Sequence, residues 1–384
     1  MMNTPRTAAF RNRCQRLLET AISRASVWAP MLLVLVPSQR AAAAALPEER
    51  GDTLFHIYDG GGQTVLGPAV LVRKNFAEKF SLSAGYYVDE ISGASIDVVT
   101  NASPYHEERR EAGVGGQYLY RDTLLGFNYT NSIENDFKAS TFDFSISQDF
   151  FNNTTTLSLG YSKGNDKITR VDSPEFSATA NRANYSVSVT QVINPTLLGT
   201  LSYELSADDG YLQNPYRSAR VLGAALPEIY PGTRTGQAFA TKLVKSWSSR
   251  FSTRIEGRYY RDTWGIKAFN VGIGASWYVY RNWILDGGYR FYSQKAATFY
   301  SDNFQRPQNF LARDKELATY QDHTVNAKLT VPLITQKHGF LNHVDAGVSF
   351  EYLLLDYKNF TDLRNGKPYS FGAAIGQFFL TAYY

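Results

Sequence analysis

Residues 369–384 read YSFGAAIGQFFLTAYY. Counted back from Tyr384, the residues Ala382, Leu380, Phe378 and Gly376 share one parity. In an extended strand successive side chains point to opposite faces, so this parity presents one apolar face with aromatics near its end. A long apolar strand left as an open edge invites aggregation. As the closing stave of a barrel it pairs with the first strand, and the edge disappears.

The same period recurs upstream. Val344, Ala346, Val348, Phe350 and Tyr352 alternate with Asp345, Gly347, Ser349 and Glu351, and Val325, Ala327, Leu329 and Val331 with Asn326, Lys328 and Thr330. Leu197 to Tyr203, Tyr185 to Val189 and Leu157 to Tyr161 behave alike. Segments of about ten residues with this alternation match the apolar band of a tilted transmembrane strand. The connectors alternate as well. Short ones fall at 74–78, 121–123, 149–154, 191–196, 247–251 and 280–283, and long ones at 89–111, 163–179, 206–236, 293–322 and 356–368. This is the pattern of tight periplasmic turns and long extracellular loops. The sequence therefore predicts an all-β protein, a transmembrane antiparallel up-and-down β-barrel of about 16 strands with periplasmic termini.

Aromatic pairs sit beside the short connectors: Phe76 and Phe80, Phe150 and Phe151, Trp247 and Phe251, Tyr280 and Trp283, Tyr383 and Tyr384. Rings with a polar handle suit the headgroup zone of a bilayer. Phe378, Leu380 and the terminal Tyr384 resemble the signal by which the outer-membrane assembly machinery recognises its substrates. Outer-membrane lipids and that machinery are thus expected partners.

Composition agrees. The chain has 26 Tyr and 24 Phe, and a mean hydropathy of −0.30, with no apolar run long enough for a membrane helix. Residues 1–45 carry Arg6, Arg11, Arg13 and Arg16, an apolar stretch from Val27 to Val36 and the small-residue run Ala41 to Ala45, the order of a secretory signal peptide. Residues 46–384 then form the barrel domain. The leader holds six Arg and one Glu, so its loss takes the net charge from +4 to −1. The basic character leaves with it, and nucleic-acid binding is not expected. So does Cys14, the only cysteine, which excludes a disulfide, a thiol nucleophile or Cys-ligated zinc in the mature chain.

The polar parity of the strands supplies the candidate functional surface. Asp143, Glu204, Glu256, Asp286, Asp345 and Glu351 face Lys242, Arg254, Arg258, Arg290 and Lys328 on inward positions. A dry core would not tolerate them unpaired, whereas a watery lumen does, and there they set ion selectivity. Opposed acidic and basic walls, or a salt-bridge network that blocks flow, both fit the pattern. No catalytic constellation, metal site or cofactor is expected. The histidines His56, His106, His323, His338 and His343 are scattered, with His106 and His323, near predicted loop bases, the two to test for catalysis. Asp208, Asp209 and Gly210 suit a solvated loop tip better than a calcium site.

Five segments carry a family resemblance: YYVDEISGAS (86–95), NTTTLSLGYSKGNDKI (153–168), DDGYLQNPYRSARV (208–221), RYYRDTWGI (258–266) and RFYSQKAATFY (290–300). Together they resemble the barrel family catalogued as domain of unknown function 3570, across nearly the whole mature chain. The resemblance implies an outer-membrane β-barrel of Gram-negative bacteria, with no established activity and a loose association with accessory proteins of envelope redox systems. It points to Asp209, Gly210, Tyr211, Pro215, Tyr216, Asp262, Trp264, Gly265 and Gln294 as loop-motif residues that shape an inward-folded loop or constriction. Two functions follow as expectations: a porin-like channel for small solutes or ions, or a non-conducting scaffold for a periplasmic or surface partner, with electron transfer as one setting.

Overall fold

The structure, a computed structural model, describes residues 45–93, 105–337 and 339–384. The leader and His338 lie outside them. Sixteen strands close into one antiparallel barrel: β1 (Arg50–Gly60), β2 (Gln63–Phe76), β3 (Phe80–Gly93), β4 (Tyr105–Tyr120), β5 (Thr123–Ile133), β6 (Phe137–Phe150), β7 (Thr155–Thr169), β8 (Ser177–Asn194), β9 (Leu197–Gly210), β12 (Thr233–Ser248), β13 (Phe251–Asp262), β14 (Lys267–Tyr280), β15 (Trp283–Lys295), β16 (Tyr320–Ile334), β17 (His343–Asp362) and β18 (Lys367–Tyr383). The short hairpin β10 (Ser218–Val221) and β11 (Ala224–Pro227) stands outside the barrel sheet, in the connector between β9 and β12.

Closure is made by the segment that first suggested it. β18 pairs antiparallel with β1 from Arg50↔Tyr383 to Gly60↔Ala373, with Phe55 opposite Phe378. The Tyr384 hydroxyl crosses β1 to donate to the Arg73 carbonyl on β2 at 2.8 Å. A closed sheet satisfies every ladder donor and acceptor and leaves no edge.

One parity of each strand points out and is apolar. Leu201 is 67% exposed, Phe239 57%, Ile273 56% and Phe378 57%. So much contiguous exposed apolar surface suits a lipid solvent and not water. Most of the aromatics beside the short turns are exposed too, Phe151 and Trp247 most of all, while Tyr383 and Tyr384 are half-buried. Among the described residues no helix is long and apolar enough to cross a membrane.

The two ends differ. Tight turns join β2 to β3, β4 to β5, β6 to β7, β8 to β9, β12 to β13 and β14 to β15, at the end where both termini lie. Several use left-handed backbone at residues other than glycine, such as Ala77 and Glu78 with φ of 51° and 55°. At the opposite end Gly61 and Gly62, with φ of 61° and 85°, close the β1–β2 hairpin, the left-handed pair such a two-residue turn requires. The strands there outrun the sequence reading. β17 continues to Asp362 and β18 begins at Lys367, so the connector foreseen at 356–368 shrinks to 363–366.

Candidate functional site, a polar lumen and the loops across its mouth

The inner wall has two arcs. From β5 to β9 its middle is lined with short polar side chains, among them Asn128, Thr141, Ser158, Ser188 and Thr200. Ser147 and Ser158 share a 2.8 Å hydrogen bond and Thr190 and Thr200 one of 3.1 Å. Asp143 on β6 and Glu204 on β9 are charged members, and Asp143 accepts from Asn128 at 3.2 Å.

From β12 to β17 the wall is ionic. Arg258 donates to Glu204 across the intervening strand at 2.7 Å, and these side chains are 39% and 40% exposed. Lys242 lies in register with Glu256, and Asp286 with Lys328. Arg254 lies over Gly274, where a Cβ would meet its guanidinium at 2.3 Å. Ser276 donates to Asp286, while Arg290 donates to Asp322 at 2.6 Å and to Thr324 at 2.9 Å. Asp345 approaches His343 at 4.0 Å, and Glu351 stands opposite Asn326 and Ile375. Acidic and basic members interleave on one arc, with Glu204–Arg258 and Arg290–Asp322 in ion pairs.

The loop end is crossed by two connectors, 211–232 and 296–319. They join by backbone: Leu222 N–H donates to Phe304 O and Phe304 N–H to Arg220 O, both at 2.8 Å, and Ile229 and Leu311 exchange a pair at 3.0 and 2.9 Å. Side chains lock the seam. Arg217 pairs with Asp314 at 2.6 Å, the buried Glu228 carboxylate accepts from Arg313 N–H at 2.7 Å, and the Tyr230 hydroxyl donates to Glu228 at 2.8 Å. Burial pushes the Glu228 carboxyl up to about 7, against the pull of Arg217. Burial likewise holds the Tyr230 hydroxyl well above its ordinary value.

Each connector is anchored to a different side. Arg170, after β7, donates to Pro215 O at 3.1 Å, Val171 N–H to the Tyr216 hydroxyl at 2.9 Å, and Tyr211 packs on Phe176. On the far side Arg313 donates to Thr361 O at 2.8 Å and lies 4.3 Å from the Phe360 ring centre, while Tyr300 donates to Asn359 O. Ala318 joins a buried cluster with the inward Tyr58, Val65, Ile91, Leu355 and Tyr357. β7 and β17 stand eight strands apart in a ring of sixteen. The connectors therefore span a diameter of the mouth.

The loop-motif residues after β9 fall at or beside this crossing, while Asp209 and Gly210 form the exposed end of β9. Trp264 is buried against Tyr230 and Phe299, with Arg234 4.5 Å from its ring centre. Gly265 takes φ of 89° so that Asp262 can accept from Ile266 N–H, and Gln294 donates to the carbonyls of Glu316 and Ala318. Gly210 has φ of 107°, and Asp209 accepts from Asn181.

A buried polar network also lines the loop half of β1, β3 and β4. His56 Nε2 lies 2.8 Å from Asp89, which also accepts from the Tyr87 hydroxyl at 2.6 Å. Arg109 reaches Asp89 at 4.0 Å and donates to Glu111 at 2.6 Å and Ser132 at 3.0 Å. Opposite His56, Gly67 comes so close to Val88 O that a Cβ would lie 1.8 Å from it, an irregularity that only glycine permits. Carboxylate oxygens of Glu107, Glu134 and Asp136 lie within 4.8 Å of one another, with Arg109 3.9 Å from Glu134 to offset their charge. Sequence reasoning passed over His56, Asp89 and Arg109 because their partners lie tens of residues away. The only local signal was the segment 86–95, which holds Tyr87 and Asp89.

Among the described residues the histidines do not converge. His323 faces outward, with Nδ1 2.7 Å from the Tyr289 hydroxyl and its ring against Phe291. His106 lies on β4, in register with Ser92, on another arc. His343 stacks on Tyr383 with ring centres 3.8 Å apart.

The family model described as "Protein of unknown function (DUF3570)" matches residues 36–362. The chain belongs to that family. No curated protein matches it. Among solved structures it is similar to a bacterial polysaccharide outer membrane secretin, at 10% identity and a TM-score of 0.49, covering 88% of this chain and 100% of that one. It is also similar to the CymD monoaromatic hydrocarbon channel, at 8% and 0.42 with 88% and 89% covered. The siderophore receptor PirA from Pseudomonas aeruginosa aligns at 9% and 0.43 over 84% of this chain, which spans 57% of the receptor.

Proposed function

We propose that this family member is a gated outer-membrane channel for small polar or charged solutes, its long loops outward and its termini periplasmic. The supporting observation is the Glu204–Arg258 pair, which stays about two-fifths exposed halfway down the inside of a closed barrel. A packed core would bury such a pair at a cost of several kcal/mol (order of magnitude), whereas a water-filled lumen leaves it solvated. The ionic arc sets selectivity, the hydroxyl arc offers hydrogen bonds to a passing solute, and the crossed loops are the gate.

The interlocked seam favours a second reading, a permanently stoppered barrel that scaffolds a partner. Liposomes loaded with a small sugar or with potassium glutamate distinguish the two. The channel reading expects solute release on insertion of the full-length mature chain. A heat-modifiable barrel that releases nothing, and copurifies with a periplasmic or surface protein, would favour the scaffold.

A further inference from the structure

At the loop end of the outer face, β13, β14 and β15 place three cations side by side. Arg261 is in register with Lys267, and Lys267 with Lys295. All three share the outward parity of Tyr259, Phe269 and Tyr289, and all three are exposed. Like charges directly opposite on neighbouring strands destabilise a sheet unless something neutralises them. Nothing protein-borne does so among the described residues: Arg261 donates only to the Gln237 amide oxygen at 3.1 Å, and the neighbouring Asp262 and Asp322 face inward, bound to Arg234 and Arg290. The outward Asp356 lies beyond β16, in register with Gln321.

Directly beneath this row the surface becomes apolar. Tyr259 and Phe269 occupy the next outward register, and Val271 and Ile273 follow at 52% and 56% exposed. A shorter version stands at the same end of β6 and β7, where the exposed Lys138 and Lys167 lie in register; the row on β13, β14 and β15 extends over one strand more. On β1, β3 and β4 the outward loop-end positions hold Asp59, Glu90 and Glu108, the last paired with Arg110.

We infer that Arg261, Lys267 and Lys295 form a binding site for the phosphate of an anionic lipid whose acyl chains lie on Tyr259, Phe269, Val271 and Ile273. A phosphate carries the charge that the row lacks and accepts from several donors at once. Being tethered to chains, it is held where a free ion would be exchanged.

Native mass spectrometry of the detergent-solubilised mature chain tests this with dioleoylphosphatidylglycerol and dioleoylphosphatidylcholine, which share their acyl chains. The parent retains the anionic lipid about tenfold or more over the zwitterionic one. The triple substitution Arg261→Gln, Lys267→Gln, Lys295→Gln removes the preference while heat-modifiability persists. Lys267→Gln alone weakens it about fivefold, which keeps the test open should the triple variant misfold. Arg110→Gln, on the control arc, leaves it unchanged. An unaltered preference in the triple or single variant overturns the site. Displacement of the lipid by millimolar inorganic phosphate overturns the assignment to a lipid and leaves an adventitious ion only.

Discussion

The turn end and the loop end of this barrel are built by different rules. At the turn end each connection is local, a few residues joining two neighbouring strands, and the termini are sealed by the β1–β18 pairing. At the loop end the decisive contacts join residues far apart in sequence, as Arg217 to Asp314 and Glu228 to Arg313. Closure of the sheet makes the barrel, and it carries no function by itself. The crossed loops depend on that closure and cover the mouth, so damage at one end should be separable from damage at the other.

The largest effect is expected at the seam of the barrel. Deleting residues 380–384 removes the outward Leu380, the Tyr384 hydrogen bond to Arg73 and part of the β1 pairing. With the closing stave shortened, the chain should lose the heat-modifiable band on unboiled gels almost entirely. A normal band would show that closure does not depend on this strand.

Next come the crossed loops. Arg313→Ala leaves Asp302 without its guanidinium partner and removes the contact to Phe360 and Thr361, and breaking a buried pair typically costs ~3–5 kcal/mol. The barrel should keep its heat-modifiable band while hydrogen exchange in 211–232 and 296–319 rises by about 100-fold or more. Equal rates in parent and variant would show that the seam does not hold the loops.

The same seam should respond to pH. Burial raises Glu228 from 4.5 to about 7, so the neutral carboxyl belongs to the closed arrangement, where Tyr230, Arg217, Arg313 and Asp314 surround it. A raised carboxyl contributes stability that is fully present below about pH 4.5 and is lost as the pH rises through about 7. Exchange in the two loops should therefore quicken between those values, and Glu228→Gln should flatten the profile. Faster exchange on acidification would contradict the assignment.

Much of the barrel was legible because its code is local. Alternation, turn residues and aromatics beside the short turns give strand number and the positions of the tight turns directly from neighbours in sequence. The reading stopped where strands run up against the loops. In β17 the inward Leu353, Leu355, Tyr357 and Phe360 are apolar because the 296–319 connector covers the wall there. The polar-in pattern fails, and residues 356–362 resemble a loop. Parity assigns the charges to a face, but it says nothing of their pairing, since Glu204 and Arg258 meet across an intervening strand.

A smaller effect sharpens the contrast between the two inner arcs. Glu204→Gln should shift selectivity toward anions and Arg258→Gln toward cations, each by about twofold in permeability ratio, because the pair is solvated and screened. Asn128→Ala, on the hydroxyl arc, should leave the ratio unchanged. Reversal potentials in a salt gradient check all three, and a shift of equal size from Asn128→Ala would mean that the ionic arc has no special role.

Single-channel recording in planar bilayers, with the parent chain beside the double variant Glu228→Ala, Arg313→Ala, tests the central claim most directly. Infrequent brief openings in the parent and steady steps of the same unit size in the variant are the predicted result. Silence from both, with each inserted and heat-modifiable, would contradict a wet lumen stoppered by its own loops.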